Sequence, residues 1–169
     1  ELSVNCSAKE LAQPKQYLTQ LSKSLERYHF SAHEFTIELT ETVLMTQSGD
    51  IRLAMKGLHE QGFKIALDDF GTGYSSLNYI HRYDIDCIKI DKTFVQNMLT
   101  NLKSERIVKL IVELAKQLQV NIIAEGVETE SELNKLVEMG CSSIQGYLFS
   151  CPLSPPQLLQ KIEYLKPRS

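Results

Sequence analysis

Residues 64–76 read KIALDDFGTGYSS, and the organisation of the chain follows from this stretch. An apolar run ends on two adjacent carboxylates, Asp68 and Asp69, and leads into a segment that contains Gly71 and Gly73. A buried charge is costly unless it is paired, hydrogen-bonded or bound to a metal ion. The position of this pair relative to the rest of the chain therefore decides what it is for.

The composition fits one soluble globular domain over residues 1–169. Of the 169 residues, 43% are hydrophobic and 23% are charged, the formal net charge is -3, and basic residues form no run. A nucleic-acid duplex is therefore not the expected partner. The four cysteines form no CxxC pair and fit reduced, buried thiols. Without a signal peptide or a long apolar run, we expect a cytoplasmic domain, although upstream segments could anchor the parent protein to a membrane.

Short apolar runs alternate with helical patterns along the chain. The runs, rich in β-branched residues, cover residues 2–5, 35–39, 63–68, 86–90, 121–125 and 143–145. Most are continuous, as in parallel strands covered on both faces. Helices are predicted around residues 51–58, 107–118, 129–140 and from 155 onwards, with shorter pieces after Ser75 and Thr93. This alternation predicts an α/β fold with a parallel sheet.

Every predicted strand ends on a polar or charged residue. These residues are Asn5, Glu38, Asp68 with Asp69, Lys89 with Asp91, Glu125 and Gln145. In parallel α/β sheets and barrels, the carboxyl ends of the strands share one rim, so these side chains should converge. At any single position, an acid that caps the following helix is the simpler explanation, but Glu38, Lys89 and Glu125 are poor capping residues. We therefore expect a ring of functional groups.

The ring concentrates negative charge. Its acids are Glu38, Asp68, Asp69 and Glu125, with Glu41 and Glu128 one step beyond. Like charges at close range raise one another's pKa unless a cation intervenes, and oxygen ligands without thiolates or imidazoles favour Mg²⁺ or Mn²⁺. Asp68 and Asp69 are adjacent, so one can bridge two ions while the other binds the second alone. Two such ions would suit the hydrolysis of a phosphodiester.

Lys89 is the one cation among these strand ends. It could orient an attacking water or neutralise charge on a phosphoryl oxygen, and it could equally be a structural ion pair. Gly71, Thr72 and Gly73 form a loop that could close over a ligand or present a surface to a partner. The GTG sequence alone is weak support for a function, because the nucleotide-type GxGxxG fingerprint is absent.

Six motifs in the chain resemble the EAL domain family of bacterial cyclic di-GMP phosphodiesterases. They are VNCS (4–7), ELTE (38–41), LDDFGTGYSSL (67–77), KIDKTFV (89–95), IAEGVET (123–129) and QGYLFS (145–150). The resemblance implies a modified TIM-type barrel that uses two Mg²⁺ or Mn²⁺ ions to hydrolyse cyclic di-GMP to linear pGpG. Order and spacing match over essentially the whole chain.

The resemblance also implies roles for individual residues. Asn5, Glu38 and Asp68 correspond to ligands of one metal ion, and Asp68 with Asp69 to ligands of the second. Glu125 corresponds to a further ligand or the general base, and Lys89 to the lysine that orients water. Supporting residues complete the set: Glu41 anchors the glycine loop, Gln145 lies near the site, and Asp91 and Glu128 match motif positions.

The family's Glu-Ala-Leu motif lies on an earlier strand and is missing here. A TIM-type barrel takes roughly 250 residues, so we expect an incomplete barrel of about six strands without the first two. The gap is expected to be left open or to be filled by another chain, for instance in a homodimer, and a sensory or cyclase-like domain is expected upstream. The activity of the isolated chain is thereby left open.

Two alternatives to the phosphodiesterase remain. A non-catalytic module that binds cyclic di-GMP or a protein would fit the missing Glu-Ala-Leu strand, but it would not need an intact set of acids. Another (β/α) metal enzyme would fit the spacing of the acids without fitting the long motifs.

Overall fold

Six parallel strands form the sheet of the computed structural model, which describes residues 1–45, 49–72, 80, 83–141 and 143–165. The strands are β1 (Leu2–Asn5), β2 (Phe35–Thr40), β3 (Lys64–Phe70), β4 (Cys87–Ile90), β5 (Asn121–Glu125) and β6 (Ile144–Gln145). Each strand pairs with the next one along the chain, in the order β1-β2-β3-β4-β5-β6. The parallel α/β fold is confirmed, and each predicted strand lies within two residues of its expected bounds.

Helices connect the strands. They are α1 (Ala8–Leu11), α2 (Pro14–Tyr28), α3 (Glu41–Met45), α4 (Gly49–Gln61), α5 (Lys92–Asn97), α6 (Leu102–Leu118), α7 (Glu130–Met139) and α8 (Pro155–Leu165), with a 3-10 turn at Ala32–Glu34. The capping box of Thr129 and Glu132 begins α7, and Gly140 ends it with a φ of 93°. The helices predicted in these regions are confirmed, whereas the piece expected after Ser75 falls on residues outside those described.

Helix α2 is not among the helices predicted from the sequence. It begins at Pro14, whose fixed φ suits a first helical turn, and is followed by His29 in the left-handed conformation with a φ of 59°. Leu18 of α2 packs against Gly57 of α4, where an added Cβ would lie 2.3 Å from the Leu18 side chain. Leucines at positions 18, 21 and 25 recur at helical spacing and pack against the core, so the sequence does carry the signal of this helix.

The two faces of the sheet differ in chemistry. Apolar side chains of the outer face lie under the helices, and six of them are at most 1% exposed: Ile37, Leu39, Ile65, Leu67, Ile88 and Ile90. Smaller and polar side chains of the inner face line a cavity of about 310 Å³, from Ser3 on β1 to Ser143 just before β6. A cavity lined from both ends of one sheet requires the sheet to curl, and the strands form a half-barrel. The strands are therefore covered by helices on one face, not on both as the continuous apolar runs had indicated.

Apolar side chains are exposed at both edges of the half-barrel. On β1, Leu2 and Val4 are 54% and 41% exposed, and beyond β6 the helix α8 exposes Leu158, Leu159 and Ile162. Among the helices in the part of the chain that the structure describes, none combines the length and the apolar composition needed to cross a bilayer.

These edges lead to a prediction about the chain of residues 1–169 when it is studied alone. Exposed apolar side chains beside an edge strand favour association or dye binding. We expect this chain to self-associate or to bind a hydrophobic dye, as measured by size-exclusion chromatography and dye fluorescence. A compact monomer that binds no dye would contradict this expectation.

Candidate active site

The side chain of Lys89, on β4, lies at the centre of the carboxyl-terminal rim. Its Nζ lies 2.9 Å from Glu38 Oε2, 3.1 Å from Asp68 Oδ1 and 2.6 Å from Glu125 Oε1. These carboxylates come from β2, β3 and β5, so one ammonium group joins acids from three other strands. Hydrogen bonds between two ionised groups are the strong ones, and three of them fix the position of the lysine.

Burial and charge act in opposite directions on the Lys89 ammonium. The Lys89 side chain is 3% exposed, and its burial alone would lower the pKa. Hydrogen bonds to Glu125 and Glu38, together with the charges of Glu125 and Asp68, outweigh burial and raise the pKa above its ordinary value. The surrounding carboxylates therefore favour the charged form of Lys89.

A bulge in β3 brings Asp68 and Asp69 to the same rim. Leu67 pairs with Ile88 of β4 and Phe70 pairs with Ile90, so β3 carries one residue more than its partner over this interval. Asp69 has a φ of 53°, in the left-handed region. Successive side chains of a regular strand point to opposite faces, and a bulge re-aims one of them. The irregular backbone thus explains how two adjacent carboxylates can face one site.

Asp68, Asp69 and Glu125 form a cluster that could hold a metal ion. One carboxylate oxygen from each lies within 4.8 Å of those of the other two. Burial raises the pKa of Asp69, and the charges of Asp68 and Asp91 and a hydrogen bond with Asp91 raise it further. Burial also raises the pKa of Glu125, although Lys89 partly offsets this effect. The site thus disfavours the charged forms of both acids, through burial first and neighbouring carboxylates second, and a divalent cation would favour those charged forms.

The remaining predicted ligand, Asn5, lies at the end of β1 in register with Glu38. It belongs to an edge strand and is exposed. Glu38 itself is buried and is held by Lys89. The predicted ligand set therefore spans the rim from β1 to β5, and Lys89 is bonded to its members on β2, β3 and β5.

The supporting residues predicted from the sequence occupy different positions. Glu41 is buried at the start of α3. Asp91 caps α5 by accepting a hydrogen bond from the Thr93 N–H, which is the simpler explanation considered for strand-end acids. Glu128 accepts a hydrogen bond from Gln96 of α5. Gln145 lies at the end of β6 in register with Glu125.

The glycine loop is described in part. Gly71 has a φ of 101°, and the Thr72 hydroxyl donates to the Asp69 carbonyl at 2.9 Å. An added Cβ on Gly71 would lie 3.0 Å from the Phe94 ring. Gly73, predicted as the second hinge, lies outside the described residues. A contact between Glu41 and this loop stays a prediction.

Gly126 and Gly146 shape the site, although sequence reasoning did not single them out. Gly126 follows Glu125 with a φ of 67°, and a Cβ there would lie 2.5 Å from Lys92 Cβ. A Cβ on Gly146 would lie 2.1 Å from the Val127 carbonyl oxygen. Both allow close backbone approaches beside a cavity of about 280 Å³ that Glu125 lines. The signal that could have revealed them is a glycine directly after a strand-end functional residue.

Comparison with known families bears on this arrangement. The profile of the EAL domain family matches residues 1–152. The chain belongs to the EAL domain family. This match confirms the resemblance of the sequence motifs. The chain is 36% identical over 152 residues to "Cyclic di-GMP phosphodiesterase NbdA" of Pseudomonas aeruginosa, an alignment that covers 90% of this chain and 19% of NbdA. The chain spans about a fifth of the length of the curated relatives it matches.

Solved EAL structures share the fold. The chain superposes on the PaMucR phosphodiesterase, solved as a c-di-GMP complex, with a TM-score of 0.87 and 35% identity, covering 92% of this chain and 63% of that one. For Klebsiella pneumoniae BlrP1, solved with manganese and cy-diGMP, the TM-score is 0.84 and the identity 34%, covering 90% and 39%. BlrP1 was also solved with calcium. These likenesses confirm the incomplete TIM-type barrel.

The left-handed backbone of Asp69 leads to a prediction about stability. We expect Asp69→Gly to raise the free energy of unfolding by about 1 kcal/mol in metal-free buffer, because it relieves backbone strain and removes a repelled carboxylate. The measurement is denaturant unfolding. Gln119→Gly is the matched control, because Gln119 has a φ of 58° at the end of α6 but carries no charge.

Asp69→Gly should stabilise the metal-free protein more than Gln119→Gly does. Saturating Mn²⁺ should abolish the greater stability of Asp69→Gly over wild type, because only the wild-type protein would then gain the full binding energy of the ion. A lower stability of Asp69→Gly in metal-free buffer would contradict the assignment of strain and repulsion.

Proposed function

We propose that this chain carries the metal-dependent site of a phosphodiesterase that hydrolyses cyclic di-GMP to linear pGpG. The observation that carries the proposal is the meeting of Asp68, Asp69 and Glu125, whose oxygens lie within 4.8 Å of one another on the rim. Family membership supports the choice of substrate, since NbdA and PaMucR are named as phosphodiesterases and PaMucR was solved with c-di-GMP.

The donor set fits Mg²⁺ or Mn²⁺. The described cluster offers carboxylate oxygens without thiolate or imidazole, as hard divalent cations prefer. Burial, with a smaller contribution from neighbouring acids, raises the pKa values of Asp69 and Glu125, and a bound cation would favour their charged forms. We assign Asn5, Glu38 and Asp68 to one ion, and Asp68, Asp69 and Glu125 to the second. Bound ions would supply Lewis-acid activation of water and of the phosphoryl oxygen.

The protein's own groups would orient the reactants. The three N–H donors of Lys89 are directed at Glu38, Asp68 and Glu125. If a bound ion took over one of these carboxylates, the released N–H could donate a hydrogen bond to the attacking water. Glu125 lies at the boundary between this ion-pair network and the cavity of about 280 Å³, where it could hold an ion or accept a proton from water. We assign Gln145, which lines the same cavity, to support of the substrate, and Glu41 to support of the loop.

The setting of the domain is also part of the proposal. We propose one domain over residues 1–169 that works in the cytoplasm under the control of an upstream sensory or cyclase-like domain. All four cysteines are free thiols, and Cys6, Cys87 and Cys141 are buried, which suits a reducing compartment. The greater length of the relatives is compatible with additional regulatory domains.

Substitution of Asp68, the residue assigned to both ions, tests this proposal. In the full-length protein with Mg²⁺ or Mn²⁺, we expect Asp68→Asn to reduce the hydrolysis of cyclic di-GMP at least roughly hundred-fold, because loss of a metal ligand removes several kcal/mol of transition-state stabilisation. The release of pGpG is followed by chromatography. The matched control, Asp84→Asn, changes an exposed aspartate in a turn and should leave the rate unchanged.

Three outcomes separate the candidate functions. Hydrolysis by wild type and its loss in Asp68→Asn alone support the phosphodiesterase. Unchanged turnover in Asp68→Asn would contradict the metal assignment. Binding of cyclic di-GMP without turnover by the wild-type protein, measured by calorimetry, would select a non-catalytic binding module instead.

The raised pKa values of Asp69 and Glu125 predict how metal affinity depends on pH. Protons and metal ions compete for the same oxygens, so a raised pKa lets protonation displace the ion at a higher pH. We expect Mn²⁺ affinity to fall as the pH is lowered. The fall should begin at a pH above the range in which exposed carboxylates titrate. Calorimetric titration over a pH series measures this, and an affinity that stays constant until ordinary carboxylates titrate would refute it.

A further inference from the structure

The carboxylates that hold Lys89 are the same groups that the proposed function assigns to metal ions. Its Nζ lies within 3.1 Å of one oxygen each of Glu38, Asp68 and Glu125. These three acids come from three strands, and each uses at least one carboxylate oxygen to bind the lysine. Lys89 is covalently part of β4 and, unlike a solvent cation, cannot diffuse away.

We propose that Lys89 acts as a built-in counter-ion that keeps the metal-free site assembled and competes with the incoming ions for its carboxylates. This inference rests on the proposed metal site and concerns how that site is loaded. Lys89 is here a positioning residue, because it acts through the carboxylates that it binds.

The charges of the site support this role. Glu38, Asp68, Asp69 and Glu125 bring four carboxylates to one rim, and Lys89 is the cation that bonds to three of them. Glu38 and Lys89 are 9% and 3% exposed at their side chains, so water screens their charges poorly. Without the ammonium, the acids would repel one another across a short distance until a metal ion arrived.

The geometry also implies a cost for metal binding. A carboxylate oxygen that accepts a hydrogen bond from Lys89 has to turn or share its lone pairs before it can coordinate an ion. The positive charge of Lys89 in addition repels a divalent cation nearby. The ammonium of Lys89 therefore weakens metal affinity, but it also keeps the carboxylates assembled before an ion binds.

Asp69 differs from the other three acids. The direct ion pairs of Lys89 are made with Glu38, Asp68 and Glu125, and Asp69 contributes its oxygen to the cluster from the bulged part of β3. Removal of the lysine charge should consequently alter metal binding through Glu38, Asp68 and Glu125 while the Asp69 backbone geometry persists.

Lys89→Met in the full-length protein tests the inference. We expect a lower melting temperature in metal-free buffer, a larger increase on addition of Mn²⁺ than in wild type, and a Mn²⁺ dissociation constant lower by roughly tenfold, which corresponds to about 1.4 kcal/mol. Melting is followed by circular dichroism, and Mn²⁺ binding by calorimetry. These readouts do not depend on turnover.

Two further variants serve as controls. Lys89→Arg keeps the positive charge but not the geometry of the ammonium, so its Mn²⁺ affinity should lie between those of wild type and Lys89→Met. Lys135→Met breaks the ion pair between Lys135 Nζ and Glu105 Oε1, which are 2.7 Å apart on helices α7 and α6 and not at the rim. The loss of stability in this variant should be the same with and without Mn²⁺.

The outcomes distinguish this inference from the proposed function. If wild type and Lys89→Met bind Mn²⁺ with equal affinity, or the variant binds it more weakly, the counter-ion role is overturned while the metal site stands. If neither protein binds Mn²⁺, both proposals are overturned. Should Lys89→Met fold only when Mn²⁺ is present, the ion has replaced the missing charge, which supports the inference; failure to fold at saturating Mn²⁺ would overturn it.

Discussion

The site depends on the contact between one buried ammonium and three carboxylates. Lys89 extends from β4 and meets Glu38, Asp68 and Glu125 from three other strands, at distances between 2.6 and 3.1 Å. A buried charge without partners would be strongly destabilising, so these strands have to keep a fixed register for the lysine to be tolerated. The ion pairs thus couple the geometry of the half-barrel to the geometry of the candidate metal centre.

The outer face of the sheet supplies stability, whereas the carboxyl-terminal rim holds the candidate functional groups. Outer-face residues such as Ile65 and Ile88 are fully buried beneath helices and supply the apolar core. The carboxyl-terminal rim instead gathers groups that repel one another, and it includes Asp69 in the left-handed backbone region, which glycine adopts at lower cost. Strain and repulsion of this kind persist where the surrounding structure imposes them, which is typical of functional sites.

Much of this arrangement could be predicted from the sequence because it follows from topology. Parallel strands bring their carboxyl ends together, so the positions of Glu38, Asp68 and Glu125 follow once the strands are recognised. The β3 bulge could not be predicted, because the doublet of aspartates does not indicate which residue leaves the regular alternation. The choice of partners by Lys89 and the pairing of Glu128 with Gln96 depend on tertiary distances. Helix α2 was predictable as well, because Leu18, Leu21 and Leu25 recur at helical spacing.

The central claim is that Asp68, Asp69 and Glu125 share a divalent cation at the rim. It is tested most directly by a crystal structure of the full-length protein grown with Mn²⁺ and cyclic di-GMP, with anomalous diffraction data collected to locate manganese. The account predicts an anomalous peak at coordination distance from carboxylate oxygens of all three residues. A well-occupied manganese peak elsewhere, with these three carboxylates bound only to Lys89 or water, would contradict it.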